Sequence, residues 1–179
     1  MRAVLLAWLR DRRWRRDTLA RMRATAVVEV AEVAGVRVLK PLVPHPERRL
    51  VAARSDGATV EVVASDAPVA DLIAALDAAF AASLGGAADP MGTVHEGVLA
   101  GLGVRSDRAL QQRGLLVHLT REPDGEVQLE PMYALSGGWT SEPEQRITFP
   151  PGTSSIDVAE AVVALHDDMA TRRPRARKA

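Results

Sequence analysis

In a chain with no cysteine, acid–base or metal chemistry would fall to four histidines, His45, His95, His118 and His166, and to 23 acidic side chains. No two of the histidines stand at the short helical spacing that aims two imidazoles at one cation. The lack of cysteine removes thiol nucleophiles, disulfides and thiolate metal sites. A phosphate-binding loop needs glycines ahead of a Lys-Ser or Lys-Thr pair, and Gly101-Leu-Gly103 has neither that pair nor a strand before it. His95-Glu96, beside a Gly-rich stretch, is the best acid–base candidate, because an imidazole titrates near neutral pH and a carboxylate can orient it. A solvent-exposed polar dipeptide is the commoner reading of the same two residues. Asp167-Asp168 lies at a helix end before a basic tail and reads as solvated charge. The expectation is therefore no enzyme, no cofactor and no metal site.

A second constellation suits binding. Residues 118–146 gather Glu122, Asp124, Glu126, Glu130, Glu142 and Glu144 around the sole tyrosine, Tyr133, and the third tryptophan, Trp139. Aromatic anchors rimmed by acids are what a surface needs to hold a basic partner. Trp139, following Gly137-Gly138, could equally close the edge of a core.

Charge points the same way. The formal net charge is zero, but residues 1–23 carry eight Arg against Asp11 and Asp17, and residues 171–179 carry Arg172, Arg173, Arg175, Arg177 and Lys178. Residues 24–170 are left with 10 basic against 21 acidic side chains, a net of −11. Such a body repels nucleic acid and favours encounter with a basic surface, although acidity also simply keeps domains soluble. The alternative is a regulatory or accessory protein touching nucleic acid through its Arg-rich ends. No apolar stretch is long enough to span a bilayer. Ala3–Leu9 runs straight into Arg10-Asp-Arg-Arg without a cleavage-site pattern, so no export signal is read and a cytoplasmic protein is expected.

The elements that must position these residues read as one α+β domain over 24–170, with a basic helix over 1–23 and a disordered basic tail over 171–179. The first helix has an interrupted apolar stripe of Leu5, Trp8, Leu9, Leu19 and Met22. It suits a membrane surface, an acidic partner, the chain's own body, or no role at all. Ala26–Val33 and Val36–Leu39 predict a hairpin about Ala34-Gly35, and Pro41, Pro44 and Pro46 an extended loop. Leu50–Arg54 and Thr59–Val63 predict a second hairpin about Asp56-Gly57. A helix follows Ser65-Asp-Ala-Pro68, with a core stripe of Val69, Leu72, Ile73, Leu76 and Phe80. Residues 85–106 read as loop with about one helical turn near Glu96–Leu102, then Ser106-Asp107 starts a short helix that Gly114 stops. Leu115–Thr120 and Glu126–Glu130 form a third hairpin about Glu122-Pro-Asp-Gly125, with one core face and one wet face. Gln145–Phe149 is a strand, and Thr153-Ser-Ser155 caps a last helix over Ile156–Met169. Hairpin, loop and Ala-rich helix occur at 50–82 and again at 115–169. The implied fold is an antiparallel sheet built from hairpins, with helices on one face and the other face free for a partner.

The run Gly103-Val-Arg-Ser-Asp107, Leu115–Thr120, Asp124-Gly125, Gln128-Leu-Glu-Pro131, Gly137-Gly-Trp139, Ile147-Thr-Phe-Pro150 and Ser155–Val162 resembles the immunity proteins of contact-dependent growth inhibition systems. The resemblance covers roughly residues 48–169. It departs from that pattern at Ala159, where a Gly is usual, and at Ala109 and Leu110, where an aromatic is expected. It implies a cytoplasmic antidote that binds a cognate toxin domain, often a nuclease, and covers its active site. A nuclease cleft is basic, which suits the acidic body.

Overall fold

The computed structural model describes residue 20 and residues 24–44, 50–54, 60–85, 87–88, 93–135, 138–141 and 143–176. The basic segment at 1–23, apart from Ala20, lies outside the described residues, as do His45, Pro46 and Glu142.

Two long hairpins form the centre of the sheet. β1 (Ala26–Val33) and β2 (Val36–Pro44) pair antiparallel through Ala34 and Gly35, both at positive φ, the two-residue turn whose twist matches that of the strands. β6 (Leu115–Arg121) and β7 (Val127–Leu135) pair likewise, and β6 lies against β1. The central order is β2-β1-β6-β7.

Each outer strand then takes two short partners end to end. β3 (Leu50–Arg54) pairs with residues 42–44 of β2, and β4 (Glu61–Ala64) with residues 36–39. On the far side, β8 (Gly138–Ser141) pairs with residues 132–135 of β7, and β9 (Ile147–Phe149) with residues 127–129. Both intervals left between the short strands contain a proline, Pro41 in β2 and Pro131 in β7. Each has its ladder partner in the central neighbour only, Val28 and Val117 respectively. A residue without an N–H is tolerated where no second ladder needs it. The expected 50–63 hairpin is thus corrected: its two segments do not pair with each other but share β2. Pro41 and Pro44 lie in a strand rather than a loop. A two-residue strand β5 (Ala87–Ala88) extends β3 outward.

The α+β class and the antiparallel sheet stand. α1 (Val69–Gly85) and α4 (Ser155–Ala176) lie side by side on one face. Leu72, Leu76 and Phe80 from α1, and Val158, Ala159 and Val162 from α4, bury against Val28, Val30, Leu39, Val117, Leu119 and Leu129. The Ser83 hydroxyl near the end of α1 accepts from the Val27 N–H at 2.8 Å and donates to the Leu42 carbonyl at 2.5 Å, joining helix to sheet. Of the expected repeat, the two helices and the 115–130 hairpin form, and the 50–63 hairpin does not. α4 runs past the expected Met169 into the basic tail, as far as Ala176.

The expected free face is partly covered, which corrects the placing of helices on one face only. α2 (Thr93–Gly101) and α3 (Asp107–Arg113) pack on the opposite side, over Ala31, Val33, Val38 and Leu116, through Val98, Leu102, Val104 and Leu110. From the sequence, residues 85–106 read as loop with about one helical turn near Glu96–Leu102. In the fold, a Cβ on Gly101 would sit 3.0 Å from Val38 Cγ2, so that glycine lets the helix approach the strand closely. α3 starts as expected, with Ser106 Oγ accepting from the Ala109 N–H at 3.2 Å.

Candidate functional site

The β6–β7 ribbon carries most of the residues singled out for binding. At its turn, the Gly125 N–H donates to the Glu122 carbonyl at 3.0 Å, and the Glu122 N–H to the Glu126 carbonyl at 2.8 Å. Pro123 suits the first corner of this turn, and Gly125 takes φ +93°, which a side chain resists. Asp124 accepts from the Glu126 N–H at 3.0 Å. Glu122 accepts from the Thr25 hydroxyl at 3.2 Å, and Glu126 from the Gln128 amide at 2.7 Å. Glu122, Asp124 and Glu126 are thus brought together, with Asp124 exposed.

The aromatic residues lie at the other end. Tyr133 is seven residues from Glu126 along β7, about 23 Å at the rise of a strand. It is half-buried, and its hydroxyl donates to Gln145 Oε1. Trp139 pairs across β8 with Ala134, packs against the second core and remains partly exposed. It therefore closes a core edge and presents a surface at once. Glu144 is exposed on the 3-10 turn Pro143–Gln145. The acids at the turn and the two aromatics do not form one patch.

Glu130 belongs to a third feature, a row of polar side chains crossing the four central strands on the face of α2 and α3. Registers Glu29↔Lys40, Glu29↔His118 and His118↔Glu130 set the four side by side, at the level of the two proline intervals. Lys40 ion-pairs with Glu29, and Arg146 with Glu130. Burial lowers the His118 pKa, and Lys40 adds to this, against the opposing pull of Glu29 and Glu130. Near the row, His95 Nε2 lies 2.9 Å from Asp107 Oδ1, so the imidazole pairs across to α3. A depression of about 130 Å³ between them is lined by Glu29, Lys40, His95, Asp107 and Trp139 among others. Reading the sequence missed this row. The signal was present in the period-2 pattern, which puts Glu29 and His118 on the same face of adjacent strands, but only the pairing shows that they meet.

One further cluster is buried under α4. Arg37 Nε donates to Glu32 Oε2 at 2.7 Å and its Nη1 to the Ser65 carbonyl at 3.0 Å. His166, 1% exposed, has Nδ1 3.0 Å from the same Glu32 oxygen. Burial alone would raise the Glu32 carboxyl, but the His166 imidazole and the Arg37 guanidinium outweigh it and hold the pKa below its ordinary value. Asp168, read with Asp167 as solvated charge, ion-pairs with Arg172 one turn on. No group of three histidine or acidic side chains is arranged to hold a metal ion among the described residues, and no helix among them is long and apolar enough to cross a membrane.

No known family model matches the chain, and no curated protein matches its sequence. Solved structures do match its fold. A protein of unknown function from Neisseria meningitidis superposes with a TM-score of 0.59 at 12% identity, covering 79% of this chain and 93% of that one. A chain of the CdiA-CT/CdiI toxin and immunity complex from Yersinia pseudotuberculosis superposes with a TM-score of 0.58 at 11% identity, covering 80% and 96%. At these identities the likeness is one of fold, and it extends the resemblance to immunity proteins of contact-dependent growth inhibition to the structural level.

Proposed function

We propose that this protein is an immunity protein, an antidote that binds a cognate toxin domain in the cytoplasm and covers its active site, without catalysing a reaction itself. The observation that carries this reading is the match to a chain of a toxin and immunity complex, which takes in nearly all of that chain and 80% of this one. Charge supports it independently. A body of net −11 whose β6–β7 turn groups three carboxylates suits a toxin with a basic surface, such as a nuclease. The partner surface proposed is the ribbon and its edge: Glu122, Asp124 and Glu126 at the turn, Glu130 and Tyr133 along it, Trp139 toward its far end and Glu144 on the turn between β8 and β9, together with Glu142, which lies outside the described residues.

The test is co-expression with the toxin domain encoded beside this chain. Survival of cells that the toxin alone kills, together with a purified one-to-one complex, supports the reading. Continued killing, with no complex at low salt, removes it.

A further inference from the structure

A groove at the end of the sheet remote from the carboxylate turn holds about 400 Å³, within the range of about 300–1,000 Å³ usual for binding sites. Its walls are formed by Leu115 and Met132, by Tyr133 and Trp139 of the β7–β8 edge, and by Met169 and Arg172 of α4. These walls are anchored. Tyr133 is tied to Gln145, Trp139 to the second core, and α4 is fixed one turn before Met169 by His166 against Glu32. The groove is open. Past Trp139, Gln111 and Gln112 it continues into a shallow depression of about 840 Å³, which Arg108 and the 59% exposed Leu135 also line. A furrow that runs on along α3 suits a length of chain better than an enclosed small molecule.

Charge selects the occupant. In a body of net −11, the one charged side chain lining the groove among the described residues is Arg172. The depression adds Arg108 and Asp107, and Asp107 Oδ1 lies 2.9 Å from His95 Nε2. Arg108 has no acidic partner among the described residues, whereas Arg172 shares Asp168. We propose that this groove docks a protein segment presenting an aromatic or long apolar side chain with a carboxylate beside it. The groove shares Tyr133 and Trp139 with the proposed partner surface, but the sign is opposite to that of the basic surface expected at the turn, and the test below uses no toxin.

The full chain, isotopically labelled, is titrated with three capped peptides: Asp-Glu-Phe-Asp-Glu, Lys-Lys-Phe-Lys-Lys and Asp-Glu-Ala-Asp-Glu. The Trp139 indole and the Met132 and Met169 methyl resonances report the groove. The acidic aromatic peptide is expected to shift all three saturably and to bind at least about tenfold more tightly than the other two. Ala134→Trp, which adds bulk at an exposed strand position lining the groove, and Arg172→Glu are each expected to weaken it by about tenfold. Unchanged Val28 and Leu129 resonances would show that both variants keep the core. Equal or tighter binding of the lysine peptide, binding indifferent to Ala134→Trp, or no shift with any peptide would overturn the proposal.

Discussion

At the turn end of the β6–β7 ribbon, three carboxylates within five residues are held by a local loop whose bonds close over Glu122–Glu126. At the other end, Trp139, Met169 and Gln111 come from β8, α4 and α3, and their meeting depends on contacts far apart in sequence. One end is a product of turn chemistry and the other of tertiary packing. The two should therefore respond differently to substitution, and the charged end should remain when the packed end is loosened.

The largest effect should come from a residue that both ends share. Leu129 is fully buried mid-ribbon, and Leu129→Ala is expected to lower stability by about 2–5 kcal/mol in chemical denaturation, with both ends lost together. Glu32→Gln should be smaller, about 1–3 kcal/mol at neutral pH, because it removes the partly buried carboxylate that the buried Arg37 and His166 share. Its effect should fall on the groove end, seen as faster amide exchange in α4 around His166 and Met169. Its pH dependence has a definite sign. The folded carboxyl is held below its ordinary value of 4.5, so its contribution is full above that pH and is lost as pH falls through the folded pKa. Wild type and Glu32→Gln should converge in acid.

Gly125→Ala tests the turn end alone. Placing a Cβ at φ +93° should cost about 1–2 kcal/mol, with faster exchange at Glu122 and Glu126 and no change at the groove. His118→Gln should have the smallest effect, a change of slope. A folded pKa lowered by burial means that the unfolded chain takes up a proton first. Wild-type stability should therefore fall as pH drops below 6.5, and the variant should lose that part of the decline.

The same contrast explains what could be read from the sequence. Pro123, Asp124 and Gly125 dictate their turn within a few bonds, as Ser106 does the start of α3, and both were legible. The stripe of Leu72, Leu76 and Phe80 was legible because its period is that of a helix. The partners of Leu50–Arg54 and Glu61–Ala64 were not, since a turn dipeptide between two strands suggests that they pair and says nothing of a longer strand able to hold both. The extent of the helix through Gly101 was not legible either, because the role of that glycine, close approach to Val38, exists only once the sheet is formed. The acids and aromatics of 118–146 were close in sequence, and the extended strand between them set them apart in space. Among these residues only the carboxylate turn was a local property, and it is the part of the proposed partner surface that the sequence located best.

The central claim, that the carboxylate turn meets a basic toxin, is tested most directly by the association rate of the neighbouring toxin domain with wild type and with Glu122→Lys/Asp124→Lys/Glu126→Lys, across a range of salt. These positions lie in a turn outside the core, so the variant should still fold. Wild type should associate fast, slow steeply as salt rises, and exceed the variant by at least about tenfold at low salt. Equal rates for the two proteins, or a rate indifferent to salt, would contradict the account.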